Sequence, residues 1–149
     1  MDWSAERKLV LVPFDFSDPS VEALEAAKTL VSSEEKLAVL HVIYPPSANS
    51  PTVIWGALDD EKALARAQEH LKEEVHKIAP GAASHVAMGD PGDSIVHVAK
   101  KLDADMIVIP SHGRRGFQRW LLGSVTERVV RLAECPVLVL RRPRTDAEE

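Results

Sequence analysis

Three glycines, Gly113, Gly116 and Gly123, lie between the apolar run IVIP (107–110) and the helix-like GSVTERVVRLAE (123–134). Arg114, Arg115 and Arg119 stand among them, and Ser124 follows the last. Phosphates are held by backbone N–H groups that approach closely. Glycine permits that approach, a helix N-terminus adds free donors and partial positive charge, and guanidinium forks match phosphate oxygens. The set points to an anion, with the Ser124 hydroxyl as a further donor. Against this, Pro110 stands where a cradle most wants a flexible residue, and neither GxxxxGKS/T nor GxGxxG is present. On spacing alone, turn glycines, a helix cap and solvated arginines account for the segment equally well.

Other reactive residue types carry less. Ser111 and His112 suggest a nucleophile and its base, but chain neighbours in a loop rarely face each other, and no G-x-S-x-G elbow surrounds the serine. His70 and His76 are six apart on a helix, about 240° around its axis, so they do not share a metal-binding face. Asp15, at a strand end, is read as a ligand-binding carboxylate or a cap, a role for which Ser17 and Asp18 compete. Cys135, before Pro136 at the start of an apolar strand, is expected to be buried and inert.

The elements that must position these residues follow from the apolar pattern. KLVLVPF (8–14), KLAVLHVIY (36–44), HVAM (85–88), DMIVIP (105–110) and PVLVLRR (136–142) read as five buried strands. Helices are expected after Asp18-Pro19, over 58–79, after Asp90-Pro91 and over 123–134, with Asp18 and Asp90 as caps and each proline in a first turn. The polar, proline-broken PPSANSPTVIWGA is a connection of lid type containing Trp55, a candidate lid or dimer contact, and Trp120 with Leu121 and Leu122 is expected to pack the glycine loop on the sheet. Strand–helix alternation predicts an α/β chain: one doubly wound, Rossmann-like domain over 1–149, with a five-stranded parallel sheet, four helices on both faces and a disordered tail at 143–149. Ligands of such sheets bind beyond the carboxyl ends of strands where the strand order reverses. That directs attention to Asp15–Ser17, to Ile43 and its loop, and to Ser111–Ser124.

The bulk numbers narrow the function classes. The 149 residues are 45% apolar, enough to bury roughly two-thirds of the unfolded surface. A net charge of −5 argues against a nucleic-acid binder working through a basic face. A single cysteine rules out an intramolecular disulfide framework and fits a reducing compartment. No apolar run approaches the ~20 residues of a membrane helix, and MDWSAERK lacks a signal-peptide core. Cytoplasmic residence is the expectation.

LVPFDFSDPSVEAL, LHVIYPP, GDP and SHGRRGFQRWLLGSVTERVVRLAECPVLVLR together resemble the universal stress protein family along nearly the whole chain. Its nucleotide-binding members carry glycine, two residues, glycine, nine residues, glycine, then Ser or Thr. Here the second glycine is Gly113, the final pair is Gly123-Ser124, and Pro110 replaces the first glycine. The resemblance implies ATP, with Mg2+ held mainly by phosphate oxygens. Asp15 and Val42 then lie on the adenine and ribose side, and Ile109, Gly113, Gly123, Ser124 and Val125 by the ribose and phosphates, with Pro13 and Arg114 as further nucleotide-binding residues. It also implies a homodimer through the last strand, Val137 to Leu140, which would cover an edge, and leaves room for an unidentified protein partner. The function expected is a nucleotide-dependent stress-response regulator. The alternative is a nucleotide-independent interaction protein of the same fold. An enzyme is not expected: no base or arginine finger for an ATPase is identifiable, and PFDFSD lacks the SGGxDS pyrophosphate loop of ATP pyrophosphatases.

Overall fold

The computed structural model describes residues 5–45, 56–113 and 122–142, with only the backbone of 56–59. Trp55, Arg114, Arg115, Gly116, Arg119, Trp120, Leu121 and the 143–149 tail lie outside the described residues. The chain runs β1 (Val10–Pro13), α1 (Asp18–Lys28), β2 (Leu37–Ile43), α2 (Gly56–Ile78), β3 (Ala83–Met88), α3 (Pro91–Lys101), β4 (Met106–Pro110), α4 (Ser124–Leu132) and β5 (Val137–Leu140). All strand pairs are parallel, in the order β3-β2-β1-β4-β5.

Each central strand is buried on both faces, which is why its apolar run is continuous. Side-chain alternation sends Val10, Val12, Leu37, Val39, Met106 and Val108 to one face, against Leu24 of α1 and Leu71 and Val75 of α2. Leu11, Ala38, Leu40, Ile107 and Ile109 go to the other, against Ile95 of α3 and Val129 of α4. The order reverses at β1. Register links β1 to β4 only at Val10↔Met106 and Leu11↔Ile107, so the two strands part company toward their carboxyl ends and open a crevice.

Helix starts are where local chemistry is most legible. Asp90 caps α3, its carboxylate accepting the Asp93 N–H at 3.0 Å, with Pro91 in the first turn. In α1 the cap is Ser17, not Asp18: Ser17 has extended dihedrals and accepts the Ser20 N–H, while Asp18 is already the first helical residue. α1 and α2 are tied where Lys28 Nζ donates to the terminal carbonyl of α2, Ile78 O, at 2.6 Å. Across the other face Arg128 of α4 donates to Asp93 of α3 at 2.7 Å, and that hydrogen bond holds the Asp93 carboxyl below the usual carboxylate range.

α3 ends in a Schellman motif, with Asp103 N–H on Lys100 O at 3.1 Å and Ala104 N–H on Ala99 O at 2.9 Å. The motif places exposed Asp103 at φ 54, where an L-residue is strained and where its charge opposes the helix C-terminus. Asp103→Gly is expected to stabilise the chain by about 1 kcal/mol, raising Tm by about 2–4 °C. A scanning calorimetry trace with unchanged or lower Tm would contradict this reading of the turn.

Candidate functional site

The crevice between β1 and β4 deepens into a cavity of about 360 Å³, at the small end for ligand sites. Its walls draw on every element that ends there. β1 and the turn after it contribute Pro13, Phe14 and Asp15; β2 contributes Leu40, His41 and Val42; α3 contributes Pro91 and Ile95. From the β4–α4 side come Ile109, Pro110, Gly113, Gly123, Ser124, Val125 and Thr126. The structure thus brings together Pro13, Asp15, Val42, Ile109, Gly113, Gly123, Ser124 and Val125 in one cavity, while Arg114 lies outside the described residues.

The polar groups are held before any ligand arrives. Ser17 turns its N–H back onto Asp15 Oδ1 at 3.0 Å, and its hydroxyl donates to the same oxygen. Asp15 Oδ2 sits 2.8 Å from where a Cβ on Gly113 would stand, so a side chain there would displace the Asp15 carboxylate. His41 Nδ1 is 2.8 Å from Phe14 O; a carbonyl only accepts, so Nδ1 carries the proton. Phe16, next to Asp15, has φ 63, a conformation costing a bulky residue about 1–3 kcal/mol.

The base of the glycine loop is stitched on both sides. Ser111 N–H donates to Leu140 O of β5 and Gly123 N–H to Ser111 O, each at 2.8 Å. The buried Thr126 hydroxyl donates to Pro110 O at 2.8 Å. These bonds explain Pro110. Ile107 and Ser111 point their amides at β5, so alternation points the amide of residue 110 toward β1, three positions past the last β1–β4 register pair. No ladder bond is available there for proline to break. What proline withholds is one N–H facing the crevice.

At the N-terminus of α4, Gly123 is the cap residue, and the helix has no side-chain cap hydrogen bond. Its first amides are therefore directed at the cavity mouth with nothing from residue 123 to occupy them. The floor beneath is apolar: Ile95, Ile109, Leu40 and Val42. An apolar slot ending at a helix N-terminus suits a flat ring joined to an anionic group.

A family model for the universal stress protein family matches residues 6–141. The chain belongs to this family. It is 37% identical over 145 residues to universal stress protein MJ0531 of Methanocaldococcus jannaschii, covering 93% of this chain and 85% of that protein. To universal stress protein YxiE of Bacillus subtilis it is 30% identical over 144 residues, covering 89% and 97%. Among solved structures, that of MJ0577, also from M. jannaschii, matches with a TM-score of 0.74 at 29% identity, over 95% of this chain and 100% of the other. A universal stress protein in complex with cAMP matches at TM-score 0.55 and 25% identity, over 91% and 98%. An Arabidopsis thaliana family protein with AMP bound matches at TM-score 0.55 and 25% identity, over 91% and 92%.

Several lining residues were not visible as site residues in the sequence. Thr126 looks like an ordinary helix residue until its hydroxyl is seen on Pro110 O. His41 had a signal, being the polar residue inside the apolar run KLAVLHVIY. Other expectations shift. Cys135 is half-buried rather than buried, and burial pushes its thiol pKa up. Leu122, expected with Trp120 and Leu121 to pack the glycine loop on the sheet, is 37% exposed. Among the described residues no three His, Cys, Asp or Glu side chains are grouped to hold a metal, and no helix is long and apolar enough to cross a membrane.

Proposed function

We propose that this universal stress protein is a one-domain cytoplasmic regulator that binds an adenine nucleotide, ATP with Mg2+, in the β1–β4 crevice and works as a homodimer through Val137 to Leu140. The observation that carries the reading is the juxtaposition of an apolar slot with the side-chain-free cap of α4. The slot takes the base between Val42 and Ile95, and Asp15 meets the adenine and ribose portion. The amides of Ser124 and Val125 and the Ser124 hydroxyl meet the phosphates, whose oxygens carry the metal. Relatives of this fold that bind AMP and cAMP support an adenine ligand. The described lining, an apolar slot beside a helix N-terminus, reads as a binding module rather than an enzyme.

A second reading, a nucleotide-independent interaction protein, draws on Pro110 and on the Gly123 amide, which is already engaged by Ser111 O. Calorimetric titration of nucleotide-stripped protein with Mg-ATP separates the two. Saturable binding at one site per chain is expected. Pro110→Gly, which restores an amide facing the crevice, should tighten binding about fivefold, the worth of one neutral hydrogen bond. No heat up to millimolar Mg-ATP from folded protein would leave the second reading standing.

A further inference from the structure

Phe16 does not line the cavity, although its neighbours Phe14 and Asp15 do. It adopts a left-handed backbone, φ 63, that a bulky residue takes only when its surroundings compensate. The compensation is an aromatic nest. The Phe16 ring meets Phe14 edge-on at 5.3 Å and 80°, and His41 at 4.8 Å and 62°. It stacks on His70 of α2 at 4.4 Å and 20°. The reversal at Phe16 is what returns the Ser17 N–H and hydroxyl to Asp15 Oδ1 while leaving Ser17 extended as the α1 cap. Orientation of the Asp15 carboxylate toward Gly113 and the cavity therefore depends on the Phe16 ring staying where it is.

His70 is the outermost member of this chain of contacts. It is exposed, lies on a helix that contributes none of the described lining residues, and reaches the site through the Phe16 ring. We propose that Phe16 and His70 are positioning residues for Asp15, so that the surface of α2 sets how tightly the crevice holds the adenine and ribose portion of its ligand. The inference rests on the nucleotide reading of the site.

His70 is exposed, so its replacement leaves the core intact and the fold available for measurement. Mg-ATP titrations of wild type, His70→Ala, Asp15→Asn and the double variant form a double-mutant cycle. His70→Ala is expected to weaken binding about three- to tenfold, the range for an aromatic pair, and to have no effect once Asp15 is replaced. His70→Phe, which keeps a stacking ring, should bind as wild type does. Hydrogen exchange of the Ser17 amide reads the same coupling without ligand: faster in His70→Ala, restored in His70→Phe. Wild-type binding combined with an unchanged Ser17 amide, or with equal His70→Ala effects in both Asp15 backgrounds, would overturn the positioning role alone. Absence of any wild-type binding would overturn the nucleotide reading, and this inference with it.

Discussion

Gly123→Asp is expected to abolish Mg-ATP binding while leaving the fold as stable as before or slightly more so. The two effects have opposite signs because residue 123 is the cap of α4 and has no side chain to cap with. Aspartate is among the best caps, and replacing glycine gains a few tenths of a kcal/mol. Gly123 has φ −57, so no backbone strain resists the change. The new Cβ would stand 3.2 Å from Ser111 O, a tight contact that a small local shift relieves. For a ligand the same side chain is ruinous. Its carboxylate occupies the helix amides and sets a negative charge beside any phosphate; at about 4 Å and an effective dielectric of 20 the repulsion is about 4 kcal/mol. Affinity should fall at least about 100-fold, with Tm within about 2 °C of wild type. Loss of both binding and Tm would mean only that the loop was broken. Retained affinity would show that phosphates do not sit at α4.

The sequence–structure relationship differs between fold and site. Strand identity was legible because DMIVIP and KLAVLHVIY are too short and too uniformly apolar for anything except strands covered on both faces. The limits were less so. HVAM reads as the third strand, yet β3 starts at Ala83 because Ala83 has Ala38 of β2 as its register partner. Pairing decides a strand's length, and a partner is not written in a strand's own residues. Between Ser17 and Asp18 as the α1 cap the residues could not decide, for a related reason. Both residue types cap well. Only the left-handed turn at Phe16, which phenylalanine gives no reason to expect, selects between them.

For the candidate site, residue chemistry pointed to Gly123 and Ser124 as a helix start with donors for an anion, though a plain helix cap accounted for them equally well. Asp15, Val42 and Ile109 came through family resemblance, because a carboxylate at one strand end and two aliphatics in other strands announce nothing until topology gathers them. Pro110 shows the limit best. It reads as a defect in a phosphate cradle, and only the parting of β1 and β4 shows that its missing amide faces open crevice rather than a ladder.

The largest loss of stability from a single truncation is expected at Leu11. β1 is the central strand, and Leu11 is fully buried on the face covered by α3 and α4, between its register partners Ala38 of β2 and Ile107 of β4. Leu11→Ala removes the transfer free energy of three carbons and leaves a void that two flanking strands and two helices cannot all collapse into, about 2–5 kcal/mol. Against a total of about 5–15 kcal/mol that is a large share. Tm should drop by about 4–20 °C at about 2–4 °C per kcal/mol, equally at every protein concentration. Leu138 on β5 is the informative contrast. It is 37% exposed on a strand that, among the described residues, pairs only with β4. Inside one chain Leu138→Ala should cost under about 1 kcal/mol, as a half-covered aliphatic gives up little water-excluded area. If β5 of two chains meet, the same substitution weakens that contact instead. Its effect then appears as a shift toward monomer in light scattering, and as a Tm that depends on concentration. A Leu138→Ala protein indistinguishable from wild type in both would remove β5 as the dimer surface. A Leu11→Ala loss under about 1 kcal/mol would mean that the α3–α4 face is packed far more loosely than its complete burial of Leu11 implies.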